Sequence, residues 1–387
     1  VGALSTDVAR ERDRAGEQYT VLLSSGERPL LLIDVAWAGY YCSVWLIDDE
    51  GRRYFHIDTR LLDEGHLVPV EMCRWFYDDA AWPEFDTRAA RRTWEYHQSG
   101  QLLIRDEQGG WRGGAHVTVH EYDPEPSRIA VPGFDYWRLF GDFLRLDGWE
   151  LAEDLVVTNA TVSESEELPV DERPWRPPRP LRPRGMEELF TPGTRYLIGD
   201  MGEVSVEIER TGTQHIPSGQ VIAADPGAMG FGVEPFTTTV PPGNYDLVLA
   251  WVRFTDNPEH RRVAAAKLLI RDSPVVTWEL ALCSGQDPRT LGEDGFFGFA
   301  VDGGTGCFVD ATATEALARI YEETFDDLLR EGVAVPEFTD PHTGANLFAY
   351  RAGWGDGYYP TWIGRDRDGA VVCLVADMLI VGDSVPM

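Results

Sequence analysis

Short apolar runs, broken at close intervals by Gly, Pro and Asp, fill the sequence after residue 187, and they limit the fold more than any other feature. Val204–Ile208 alternates acid and apolar, as a half-buried strand does. Gln220–Ala224, Asp246–Phe254, Val263–Arg271, Val275–Ala281 and Val371–Ile380 read as further strands. Turn signals stand between them at Asp225-Pro226-Gly227, Pro241-Pro242-Gly243-Asn244, Asp272-Ser273-Pro274 and Asp366-Arg367-Asp368-Gly369. One segment breaks the pattern. In Ala313–Glu331, Leu317, Ile320, Tyr321, Phe325, Leu328 and Leu329 recur at helical spacing. Residues 187–387 are therefore expected to form a β-sandwich-like domain with one main helix.

The first part of the chain is more mixed. Residues 1–18 are polar and read as a frayed lead-in. Strands are expected at Tyr19–Leu23, Leu30–Val35 and Tyr40–Ile47, with a hairpin turn at Asp48–Gly51 leading into Arg53–Ile57. Pro69–Tyr77 reads as a helical patch. Thr87–Gln98 reads as a helix capped by Asp86. More strands follow at Leu102–Arg105, Ala115–Glu121 and Leu151–Thr158, around an aromatic-rich stretch at Phe134–Leu144. This gives an α+β domain with a small sheet over 1–160. The whole chain is α+β, mostly β. Between the domains, 161–186 turns acidic and then alternates Pro and Arg, which favours an extended linker or strap.

Charge excludes some functions. Lys+Arg number 34 against 65 Asp+Glu, a net charge of −31. Such a surface repels nucleic-acid backbone and anionic lipid, and suits a basic protein partner, a cation or plain solubility. The basic residues are strongly biased toward Arg. The five cysteines are widely spaced and form no CxxC pair, so a zinc ribbon or thioredoxin motif is not expected and a reducing, cytoplasmic setting is. Residues 1–14 have no apolar signal core, and no apolar run is long enough to span a membrane.

The candidate chemistry lies where acids, glycines and aromatics meet. Asp302 and Asp310 flank Gly303-Gly304-Thr305-Gly306, and Asp356 sits between glycines in Gly353-Trp354-Gly355-Asp356-Gly357. With Asp377, these acids could bind a divalent cation or act as an acid/base pair if they converge. Turns use the same residue types for their own hydrogen bonds. The glycine loop carries no phosphate-binding Lys-Ser/Thr, and a strand rather than a helix follows it. Cys307, just after that loop, is either a nucleophile or a buried strand residue. Trp354, Tyr358, Tyr359 and Trp362 surround Asp356 as sugar-binding aromatics or as core. His116 and His120 share a face of one strand but stand about 13 Å apart, too far to chelate one ion.

Several spaced blocks occur together in the second part: Gly219–Pro226, Pro241–Tyr245, Val263-Ala264, Trp278-Glu279, Val301–Asp310, Gly353–Tyr359, Trp362, Gly364, Asp366, Gly369 and Asp377. On these blocks residues 187–380 resemble DUF4241, a family designated a domain of unknown function. The resemblance implies a bacterial, soluble, β-rich domain and carries no assigned chemistry. The reading is thus a noncatalytic protein-binding module, of bacterial immunity or antitoxin type, with an acidic surface. The alternatives are a hydrolase or metal-dependent enzyme using Asp302, Asp310 and Asp356, and a carbohydrate or small-ligand binder using the aromatics of 354–362. The candidate site comprises Asp302, Asp310, Asp356, Tyr358, Trp362 and Asp377. No cofactor is expected beyond a divalent cation at these acids.

Overall fold

The computed structural model of the chain describes all residues except 1, 26, 64, 98, 110–113, 124–127, 135, 138–139, 141–154, 162–174, 331–332 and 383. The chain divides into two compact units, Val1–Arg179 and Pro180–Met387. Both are mostly β, as the turn-punctuated sequence implies.

In the first unit every described strand joins one eleven-stranded sheet, rather than the small sheet expected. From Tyr19–Ser25 the chain meanders through Arg28–Ala36, Tyr41–Ile47, Arg53–Leu61, His66–Phe76, Ala90–Tyr96 and Gln101–Glu107 to Ala115–Glu121, each strand antiparallel to the last. Leu155–Thr161 and Gly2–Ala3 extend the other edge. Alternation sets the register. Val21, Ile33, Val44, Ile57, Met72 and Trp94 lie opposite one another in a single row across six strands. The first four are almost fully buried and Trp137 and Phe140 pack in the same cluster.

Three expectations for this unit are corrected. Residues 1–18 are not merely a lead-in: Thr6–Ala15 is a helix, with Ser5 Oγ accepting from the Val8 N–H and Gly16 in the left-handed region at its end. The helical patch at 69–77 is part of the strand His66–Phe76. Pro69 sits at a register shift opposite Thr59, where a missing N–H is tolerated. The helix at 87–98 is the strand Ala90–Tyr96, paired on both sides. Asp86, expected as its cap, instead accepts from the Arg88 N–H in a turn. The Asp48–Gly51 hairpin forms as expected, with Gly51 at φ 81°. Of the aromatic stretch, Phe143 lies outside the described residues, as do 151–154 of the strand expected at Leu151–Thr158.

Residues 162–174 of the Pro/Arg stretch also lie outside the described residues. Trp175 packs against Tyr41 in the first unit, ring centroids 5.4 Å apart. Leu181 belongs to the second, its N–H bonded to the Gly295 carbonyl.

The second unit is built on an eight-stranded sheet in the order Arg195–Ile198, Gly202–Ile216, Gly243–Phe254, Arg261–Leu269, Val371–Asp377, Gly357–Arg365, Thr277–Leu280, with Gly298–Val301 also paired to Gly357–Arg365. A three-stranded sheet (Val221–Ala224, Thr305–Asp310, Tyr350–Arg351) and a two-stranded one (Glu337–Thr339, Asn346–Phe348) complete it. The main helix is Thr314–Arg330. Its Leu317 and Tyr321 are buried against Met229, Val309 and Phe338, as the helical spacing requires. The hairpin at Asp366–Gly369 closes through the Asp366 N–H to Ala370 and the Gly369 N–H to Asp366. The sequence contains a single lysine, Lys267. Its ammonium lies 3.8 Å from the centre of the Phe190 ring. Among the described residues, no helix is long and apolar enough to cross a membrane.

Candidate functional site

Two glycine loops of the second unit meet. The pair Gly298–Val301 and Gly357–Arg365 ends with Val301 opposite Gly357, so Asp302 and Asp356 follow at the same end. The next pair places Thr305 opposite Arg351, and the Ala352 N–H bonds to the Gly304 carbonyl at 3.0 Å. Residues 302–305 and 351–356 are thereby held side by side.

Asp225 fixes the first loop. Its buried carboxylate accepts from the N–H groups of Gly227 (2.9 Å), Asp302 (2.9 Å) and Gly303 (2.6 Å). Gly303 is a tight fit against it: a Cβ there would lie 3.2 Å from the Asp225 oxygen, which would have to give by a few tenths of an ångström. Gly353 fixes the second loop. It has φ 38°, and a Cβ would meet that of Met378 at 2.9 Å.

The acids picked out from the sequence separate by role. Asp302 and Asp356 are exposed at the loops. Asp310 is fully buried and accepts from the N–H and hydroxyl of Ser218 and of Thr312, so its oxygens bind the chain together. It lies five residues along the strand from Thr305, roughly 16 Å away. Asp377 is half-buried, accepting from the Leu379 N–H and, at 3.4 Å, the Trp362 indole. Burial raises its carboxyl to about 6. Among the described residues, no group of three or more His, Cys, Asp or Glu side chains is arranged to hold a metal ion.

The aromatics separate likewise. Trp362 is 2% exposed and belongs to the core. The hydroxyl of Tyr359 donates to the Gly355 carbonyl, bracing the loop. Tyr358 is exposed, stacks on Phe296 and accepts from the Gly298 N–H. Cys307 is fully buried, and burial pushes its thiol far above the ordinary range, away from the reactive thiolate. His215 holds Asn244 Oδ1 at 2.7 Å.

What the loops enclose is a cleft of about 300 Å3, lined by Gly303, Gly304, Thr305, Gly353, Trp354, Gly355 and, from other elements, Arg262, Arg351, Phe325, Ala334 and Pro336. Sequence reasoning fixed on acids and missed its two arginines. Arg262 stands on the strand Arg261–Leu269 with its guanidinium carbon 5.6 Å from the centre of the Trp354 ring. Trp354 in turn packs on Phe254 and His260, which stack at 4.4 Å. Arg262 Nε is buried without an acceptor among the described residues. Neither Arg262 nor Arg351 forms an ion pair there, although many other arginines of this acidic chain do. A signal was present, since Arg351 directly precedes Ala352-Gly353; nothing in the sequence joined it to Arg262.

Residues 214–376 match the family model described as "Protein of unknown function (DUF4241)". The match lies within the second unit and includes both glycine loops and both arginines. None of the curated proteins and none of the solved structures matches the chain.

Proposed function

We propose that the second unit is a noncatalytic binding module whose cleft takes a small anionic group, a carboxylate or a phosphate, carried on a ligand that stacks on Trp354. The observation that carries this reading is the buried Nε of Arg262, which has no acceptor among the described residues and belongs to a side chain that lines a cleft together with a second arginine. A buried donor left unsatisfied costs about 1–3 kcal/mol, and an anion oxygen offsets that cost with a charge-assisted bond. Guanidinium groups grip carboxylate and phosphate through paired N–H donors, and Trp354 supplies an apolar wall. The volume suits a small ligand rather than a polymer. A binding role fits better than catalysis because Asp225, Asp310 and Asp377 spend their oxygens on the chain itself. All five cysteines are free, which favours a reducing, cytoplasmic setting.

Isothermal titration tests the reading with inorganic phosphate, a nucleoside monophosphate, citrate and an uncharged disaccharide. Binding of at least one anion is expected, weakened about tenfold or more in Arg262→Ala and in Arg351→Ala through loss of a charged hydrogen bond. Disaccharide binding that both variants retain would instead favour the carbohydrate reading. Anion binding that neither variant weakens, or no binding at all, would sink the proposal.

A further inference from the structure

Ala115–Glu121 is the last strand in the first unit's sheet, paired with Gln101–Glu107 on one side and, among the described residues, with no strand on the other. Exposed edges are usually blunted by a central charge, a proline or a bulge. This one has none of the three: its register runs unbroken from Ala115 to Glu121, and its centre is His116-Val117-Thr118-Val119-His120. Val117 is 44% and Val119 63% exposed. These five residues read the same in either direction.

We infer that this edge pairs antiparallel with the same edge of a second copy, about a two-fold axis through Thr118, and that the pairing creates two identical zinc sites. The palindrome selects a second copy as occupant. About that axis Thr118 meets Thr118, Val117 meets Val119, His116 meets His120 and Ala115 meets Glu121. No two acids oppose each other, which matters for two chains of net charge −31. The four valines gather on one face and the four histidines on the other, because side chains alternate along a strand. An interface of this kind is isologous and closes at two copies.

The histidines that cannot share an ion within one chain can do so across the axis. Directly opposed residues on antiparallel strands have Cβ atoms about 4.5–5.5 Å apart, within reach of one Zn2+ for two imidazoles. The existing register adds a third ligand. Asp106 lies directly opposite His116 on the neighbouring strand, and its carboxylate is oriented by Arg92. His120 Nε2 contacts Thr118 Oγ1 at 3.1 Å, which leaves Nδ1 for the metal. Each site is thus His116 and Asp106 of one copy with His120 of the other, the fourth position left to water.

Sedimentation velocity on the full chain, across a concentration series in EDTA and in ZnCl2, tests this. A reversible monomer–dimer equilibrium is expected, its midpoint lowered about tenfold or more by Zn2+ through linkage. His116→Ala should abolish the zinc response while leaving the metal-free dimer. Val119→Lys, at an exposed position and checked for folding by circular dichroism, should abolish both. A register test is independent of metal. With Cys283 replaced by Ser, Thr118→Cys should oxidise to a disulfide-linked dimer, whereas His120→Cys should not, since its symmetry mates lie about 13 Å apart. A monomer under every condition, a zinc response that survives His116→Ala, or no cross-link from Thr118→Cys would each overturn the inference.

Discussion

Asp225 is a buried carboxylate and Asp377 a half-buried one, and their settings differ. Asp225 receives three backbone N–H groups, and Asp377 receives one together with a long indole contact. The poorer solvation of Asp377 leaves burial as the dominant influence, and its carboxyl rises from 3.8 to about 6. The sign follows. Between those values the folded chain holds a proton that the unfolded chain has released, so this group's contribution to stability falls as pH rises through the window and stays low above it. Asp377→Asn, neutral at every pH, should therefore raise stability by roughly 1–2 kcal/mol at pH 7.5 and by about a third as much at pH 4.5. Urea unfolding at the two pH values measures it; an equal effect at both would show that the charge of Asp377 is not the cause. The residue scale was also the least legible in the sequence. Asp225, Asp302, Asp310, Asp356 and Asp377 are the same residue type in the sequence, and only the fold reveals which of them face the chain and which face water.

The elements were legible where turn chemistry marks them. Pro241–Gly243, Asp366–Gly369 and the helical spacing of Leu317 and Tyr321 each bound an element close to where it forms. The two strands read as helical, His66–Phe76 and Ala90–Tyr96, have a common cause. Ala90, Arg91, Arg92 and Glu95 favour a helix locally, but Met72 and Trp94 continue an apolar row begun by Val21, and strand pairing on both sides outweighs that preference. The glycine loops of the cleft were visible as a motif; their conformation was not. Gly353→Ala asks an L residue to adopt φ 38° and to sit 2.9 Å from Met378 Cβ. A loss of roughly 1–3 kcal/mol is expected from strain and overpacking together. Gly355→Ala, at φ 111° with no atom within 4 Å, carries strain without the clash and should cost less. Thermal melts of the pair rank the two terms, and the reverse ranking would mean that the contact with Met378 relaxes freely.

At the scale of the molecule, charge is the dominant property. A net charge of −31 over 387 residues works against any compact state, because folding concentrates like charges. Many of the arginines are committed to local pairs, such as Arg52 with Asp48, Arg53 with Glu84 and Arg365 with Glu279. The remaining acids repel across the surface, and salt screens that repulsion. Raising NaCl from 50 to 500 mM should increase the melting temperature by about 2–5 °C. A fall would show that the ion pairs, not the excess acids, set the balance. The charge was fully legible in the sequence, but the excess of acids drew attention to carboxylates. The two arginines lining one cleft are far apart in sequence, and only the pairing of Thr305 with Arg351 beside the strand that bears Arg262 brings them together.

Lys267 has a practical consequence. It is the chain's one side-chain amine, and its place over Phe190 depresses its basicity through burial. An acylating dye, a biotin ester or an amine-coupling resin therefore has one side chain to attack, and Lys267→Arg provides a matched blank. Tryptic peptides of these 387 residues will end almost entirely at arginine, and any cellular tag that requires a lysine acceptor has a single address within them.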